Sequence, residues 1–174
     1  MAGIIGIIAA IIGILWVSNT YRGFVILWFS AAVLVIVGTL LIARRQALKD
    51  KEVFWSPPAR RVVQAIIPPL AAGLCLGVLP VFLSVPFGIA AVVAPLWILF
   101  YGLALHAAGF FIQRGIKFFG ILFVVGACLL FCVYVAEWIK INFNAHWLMG
   151  FFFGGLHLAY GAYLYLTEKG KNAA

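Results

Sequence analysis

The chain alternates long apolar runs with short polar or turn-forming stretches, and this pattern predicts six helices. The runs are continuous, without the alternation of barrel strands, and most approach the roughly 20 residues that span a bilayer. Only helices satisfy their backbone alone in lipid. The predicted spans are residues 3–17, 23–43, 62–84, 87–112, 116–138 and 146–166. The sequence therefore predicts an all-α, polytopic membrane helix bundle, a single transmembrane domain over residues 1–174.

Composition points to the same class. Of the 174 residues, 67% are hydrophobic and only 9% are charged, and the mean hydropathy is +1.20. Soluble domains are roughly half apolar and a quarter charged. These values exclude a soluble globular domain.

The distribution of the cations predicts the orientation. The net charge of +8 comes from 12 Lys and Arg against 4 Asp and Glu. With the N-terminus inside, only Arg22 and Lys140 fall on the outer side, and Lys and Arg in short loops are retained on the cytoplasmic side. We therefore expect both termini to be cytoplasmic, in a bacterial inner membrane, with no nucleic-acid partner. The inner cations are Arg44, Arg45, Lys49, Lys51, Arg60, Arg61, Arg114, Lys117, Lys169 and Lys171.

The predicted basic cytoplasmic loop, residues 44–61, combines cations with aromatic side chains. One interpretation is contact with anionic membrane lipids, with the aromatic rings at the headgroup level. The other is that the cations only determine orientation. The candidate lipid-contacting residues are Arg44, Arg45, Lys49, Lys51, Trp55, Arg60 and Arg61.

Glycines at small-xxx-small spacing predict close helix packing, because lipid offers no hydrophobic drive for helices to associate. Gly73 and Gly77 form one such pair, and Gly150 and Gly154 form another. Their concentration in the later spans predicts a tight core there and a more peripheral first hairpin. The cysteines are expected to be small packing residues: Cys75, Cys128 and Cys132.

Two histidines stand out because polar groups within a bilayer are costly and often functional. His106 and His157 lie within spans that run in the same direction, each flanked by glycines. They could bond to a backbone carbonyl or a neighbouring Tyr or Ser, ligate haem b as an axial pair, or recognise a ligand or ion. His146, at the outer end of its span, is expected to be interfacial. No nucleophile with a placed base and no metal-ligand cluster is apparent, so no enzyme activity is expected.

The C-terminal half resembles a loose group of small, uncharacterised multi-helix bacterial inner-membrane proteins. The shared features are a YG near the start of one span, a G-basic turn after it and a C-terminal FGxxH segment. They correspond here to Tyr101-Gly102, Arg114-Gly115, and Phe153, Gly154 and His157. The resemblance implies a membrane helix bundle and carries no catalytic residue across.

Three functional hypotheses remain open. The leading one is a non-enzymatic protein that acts by helix packing, as an accessory subunit of a membrane complex or as a homo-oligomer. The second is a small-molecule or ion transporter, channel or sensor with a site around Pro95, His106 and His157. The third is a b-type haem-binding membrane subunit that uses the same two histidines.

Overall fold

The computed structural model describes residues 1–17, 20–83, 90–112, 115–135 and 144–172. Within these ranges the structure is helical and has no strand, so the predicted all-α class is confirmed. The helices are α1 (Ala2–Leu15), α2 (Tyr21–Lys49), α3 (Pro57–Val78) with a 3₁₀ segment (Leu79–Leu83), α4 (Ala90–Ala108), α5 (Ile116–Val135), α6 (Ala145–Met149), a π-helical segment (Gly150–Leu156) and α7 (His157–Asn172). The last three follow without interruption, and residues 145–172 are called the C-terminal helix below.

Three of the described helical stretches are long and apolar enough to cross a membrane. They are Tyr21–Lys49, Pro57–Leu83 and Ile116–Val133. Two further apolar helices are shorter, Ala2–Leu15 and Val92–Ala108. By their length and composition, these helices are compatible with insertion in a membrane.

The predicted loop at residues 44–61 is largely helical, which corrects the expected boundaries. Helix α2 continues to Lys49 and α3 begins at Pro57, so only residues 50–56 connect them. Hydropathy identifies only the apolar part of a helix. The helix itself continues into water where the following polar residues are good helix formers. The start of α3 is favoured by proline at its first positions, where the missing N–H costs nothing. Arg114 and Lys140, two of the cations used to predict orientation, lie outside the described residues.

Helix α1 packs closely on the C-terminal helix, so the prediction of a peripheral first hairpin is wrong for α1. Its buried face consists of small residues, namely Gly3, Gly6, Ala9, Ala10 and Gly13. A Cβ on Gly6 would lie 2.5 Å from the carbonyl oxygen of Phe153, and one on Gly150 would lie 2.5 Å from the Cβ of Ala10. This approach of two backbones is possible because both helices present small residues at the crossing.

The predicted glycine pairs lie at contacts between helices of the same chain. Gly73 and Gly77 of α3 are buried and face Phe100 and Trp97 of α4. In the C-terminal helix, Gly150 and Gly154 are buried, and a Cβ on Gly154 would lie 2.7 Å from the side chain of Ile7 in α1.

Helices α2 and α3 are held together at both ends, by the connection at residues 50–56 and by a hydrogen bond at the opposite end. The Tyr21 hydroxyl donates a hydrogen bond to the Gly77 carbonyl oxygen at 2.5 Å, which ties the start of α2 to the end of α3. The buried residues of α2 all lie in its first half, from Tyr21 to Ala31. Beyond Ala31, α2 is mostly exposed. Taken as a whole, α2 packs more on α1 and on the 3₁₀ segment than it packs on α3. This arrangement leaves a cavity beside α2 and α3.

Candidate functional site

A cavity of about 280 Å³ lies between α2 and α3 and reaches inward to the C-terminal helix. Its mouth is formed by exposed apolar residues, among them Phe29 of α2, which is 45% exposed, and Leu74 of α3, which is 42% exposed. Trp28 and Met149 lie deeper and are buried. The volume is close to the lower limit of small-molecule pockets, about 300 Å³. The cavity is thus an apolar pocket that opens to the side of the molecule.

Two polar side chains, Tyr101 of α4 and His157 of the C-terminal helix, line this cavity and bond to each other. The Tyr101 hydroxyl lies 2.8 Å from Nε2 of His157. Nδ1 of the same ring lies 3.1 Å from the Phe152 carbonyl oxygen. A carbonyl oxygen can only accept, so Nδ1 carries the proton, and in the neutral ring Nε2 is an acceptor. The Tyr101 hydroxyl therefore donates to His157.

A π-helical segment lies immediately before His157 and contains Phe152, the backbone acceptor of its ring. The backbone N–H of His157 bonds to the Gly154 carbonyl oxygen. The Phe152 carbonyl, five residues before His157, accepts a hydrogen bond from the imidazole. Wider π-turns inside helices are rare and are frequent at functional sites. No signal in the sequence marks this segment other than its three glycines, Gly150, Gly154 and Gly155.

Aromatic rings surround the His157 imidazole and fix its orientation. Phe119 and Phe123 of α5 meet it edge to face, with ring centroids at 5.2 and 5.5 Å. Phe153 is nearly parallel to it, with centroids at 6.1 Å and an interplanar angle of 14°. Such contacts hold the ring through geometry as well as burial. His157 is consequently a fixed, mostly enclosed group rather than a mobile side chain.

A second buried histidine corrects the expectation that His146 is interfacial. His146 is only 1% exposed, and Trp28 Nε1 donates a hydrogen bond to its Nδ1 at 3.1 Å. Its ring packs against Phe24, with centroids at 5.2 Å, and fits against Gly13, which has no side chain there. Trp28 lines the cavity, so this pair supports its wall. The bond joins residues 118 positions apart, which spacing in the sequence could not reveal.

The other predicted histidine, His106, does not line the cavity. Its Nδ1 lies 3.4 Å from the Lys117 carbonyl oxygen, at the α4 and α5 contact, and its ring meets Phe110 edge to face. Pro95 is buried inside α4 and also does not line the cavity. Axial ligation of haem by His157 would require one of its two ring nitrogens to give up the partner described above.

The candidate lipid-contacting side chains, namely Arg44, Arg45, Lys49, Lys51, Trp55, Arg60 and Arg61, are all exposed. They lie at the end of α2, in the connection and at the start of α3. The cysteines are also exposed and free, so their prediction as packing residues is wrong. No group of three or more His, Cys, Asp or Glu that could hold a metal ion occurs within the described ranges.

Comparison with protein-family models, curated proteins and solved structures gives no match to this chain.

Proposed function

We propose that this protein is a non-enzymatic membrane receptor or carrier that binds a small apolar molecule in the cavity between α2 and α3. The observation that carries the proposal is the apolar cavity itself, with its mouth at exposed Phe29 and Leu74 and its polar pair, Tyr101 and His157, inside. Small-molecule sites are typically concave and apolar with a few placed polar groups. This favours a small-molecule site over action by helix packing alone.

Both glycine pairs pack against helices of the same chain, which weakens the hypothesis of an accessory subunit. That hypothesis depended on small residues at helix-packing spacing, and both pairs meet helices of the same chain. Gly73 packs against Phe100, and Gly154 packs against Ile7. These motifs therefore give no reason to invoke a partner chain, and co-purification from membranes tests association with other membrane subunits or with a second copy.

In the proposed arrangement the chain crosses a bacterial inner membrane six times, with both termini cytoplasmic, as its cations predict. At 1.5 Å per residue, Trp28 and Ile36 lie about 10 and about 22 Å along α2 from Tyr21. A hydrocarbon core is about 30 Å thick. The mouth of the cavity would then face lipid, and ligands would enter from the bilayer.

The test is quenching of cavity tryptophans by a brominated hydrocarbon. Trp28 and Trp97 line the cavity, so the protein is reconstituted in nanodiscs with the other four tryptophans replaced by phenylalanine. Titration with 1-bromooctane should quench the remaining fluorescence in a saturable manner, because heavy-atom quenching requires contact.

A matched pair of variants distinguishes the cavity from the surface. Ala32→Phe places a ring at an exposed position that lines the cavity, and Ala71→Phe places one at an exposed position that does not. The dissociation constant from saturable quenching should rise at least fivefold in Ala32→Phe and stay unchanged in Ala71→Phe. Non-saturable quenching that is equal in both variants overturns the proposal.

A further inference from the structure

We propose that the ligand is an apolar alcohol or phenol, bound through its hydroxyl group to the Tyr101 oxygen. This inference rests on the proposed function and specifies its ligand class. It follows from the hydrogen-bonding capacity left inside the cavity. An apolar body would fill the cavity, and one donor group would reach the polar pair.

Every side-chain donor among the described lining residues is already engaged. Trp28 Nε1 donates to His146 at 3.1 Å, and Trp97 Nε1 donates to the Gly73 carbonyl oxygen at 2.9 Å. Tyr101 donates to His157, whose own N–H is bonded to Phe152. The remaining lining residues are apolar or glycine. A ligand that offers only acceptors, such as a ketone or an ether, would find no donor without breaking one of these bonds.

An acceptor does remain. A tyrosine hydroxyl has one donor and two acceptor lone pairs, and the donor is used toward His157. No carboxylate is among the described residues that line the cavity, so the imidazole stays neutral, because a buried charge without a partner is costly. The Tyr101 oxygen can therefore receive an O–H from a ligand while its own proton stays on the bond to His157. A chain of two hydrogen bonds would result, from ligand to Tyr101 to His157.

The volume sets the size of the enclosed part. At roughly 30 Å³ for a water-sized group, the cavity of about 280 Å³ holds about nine non-hydrogen groups. A straight-chain alcohol of about eight carbons would fill it. A longer tail could continue through the mouth between α2 and α3.

The experiment compares three probes of similar size, 1-octanol, 2-octanone and octane, as competitors of 1-bromooctane in the tryptophan-quenching assay. Each dissociation constant is expressed as mole fraction in the bilayer, which removes differences in partitioning. We expect 1-octanol to bind about tenfold more tightly than 2-octanone, a factor equal to one good hydrogen bond. Octane, which has no carbonyl group to bury unsatisfied, should bind at least as tightly as 2-octanone.

Two variants test whether the preference for 1-octanol over 2-octanone depends on Tyr101 and His157. In His157→Phe, which keeps an aromatic ring among Phe119, Phe123 and Phe153, the Tyr101 proton is released and the site gains a donor. The tenfold preference for 1-octanol should be lost, because the freed Tyr101 hydroxyl can donate to a ketone oxygen as well as to an alcohol oxygen. In Tyr101→Phe the acceptor Nε2 of His157 remains, and the preference for 1-octanol should persist.

A matched control and the contrary outcomes complete the design. Tyr163→Phe, at a tyrosine that is 57% exposed and outside the cavity, should leave all three constants unchanged. Binding of the three probes with equal affinity, or an unchanged preference for 1-octanol in a folded His157→Phe, overturns the ligand assignment and leaves the cavity as a site. Displacement by none of the three, together with absent saturable quenching, overturns the proposed function itself.

Discussion

Adding one methyl group to Gly6 should loosen the contact between α1 and the C-terminal helix. A Cβ at Gly6 would lie 2.5 Å from the Phe153 carbonyl oxygen, 2.6 Å from its carbonyl carbon and 2.8 Å from the Gly154 nitrogen. Favourable contacts between carbon atoms are about 3.5 Å or longer. All three neighbours are backbone atoms, so no side chain can rotate away. Helix α1 must therefore move by about 1 Å in Gly6→Ala.

Gly161→Ala is the matched control, because nothing lies within 4 Å of a Cβ at Gly161. Replacing a helical glycine by alanine stabilises by about 0.5–1 kcal/mol through the backbone, and this gain is common to both variants. The difference between them is thus the packing cost at Gly6, about 1–3 kcal/mol for overpacking. We expect Gly161→Ala to be neutral or stabilising and Gly6→Ala to be destabilising.

Equilibrium unfolding in mixed micelles, followed by circular dichroism, gives the free energy of unfolding of each variant. Gly6 also lines the cavity, so Gly6→Ala should in addition weaken saturable quenching by 1-bromooctane. If Gly6→Ala and Gly161→Ala stabilise the protein equally, α1 does not pack on the C-terminal helix as described, and the inner wall of the cavity is misplaced.

Three further predictions concern the Trp28–His146 hydrogen bond, the orientation in the membrane and the three cysteines. Trp28→Phe removes the donor to buried His146 and should lower the free energy of unfolding by about 1–2 kcal/mol. Trp147→Phe is the control, because Trp147 is 63% exposed and its replacement should change that free energy little. Equal effects of the two substitutions would contradict the hydrogen bond between Trp28 and His146. Alkaline phosphatase inserted in the connection at residues 50–56 should be inactive and a cytoplasmic fluorescent reporter there active, and the opposite pattern would reverse the predicted orientation. Replacing Cys75, Cys128 or Cys132 by alanine should lower the free energy of unfolding by less than about 1 kcal/mol, because all three side chains are exposed; a loss of about 2 kcal/mol or more at any one would place that side chain in the core.

The helical class was predictable because apolar runs near bilayer length have few alternatives. Helix ends were less predictable, since Arg44 to Lys49 are good helix formers that hydropathy excludes from a span. The position of α1 was readable in principle. Its glycines and alanines recur every three or four residues from Gly3 to Gly13, and that spacing predicts one small-residue face.

The site was predictable only in part. His157 was singled out as a polar group in an apolar span, and it lines the cavity, but its partner Tyr101 lies 56 positions earlier in the chain. His106 has the same flanking glycines and yet meets a different helix, because each helix face is chosen by tertiary packing. His146 lies at the end of a predicted span, which suggested an interfacial position. Its burial depends on contacts with Trp28 and Gly13, and no local sequence pattern connects these residues to it.

The most direct test of the cavity is a crystal structure of the protein with 8-bromo-1-octanol, using the anomalous signal of bromine to locate the probe. The proposed function predicts a bromine peak at the mouth between α2 and α3 and a hydroxyl oxygen within hydrogen-bond distance of the Tyr101 oxygen. Bromine found only on the outer surfaces of the helices, with α2 packed against α3 and no space between them, would contradict it.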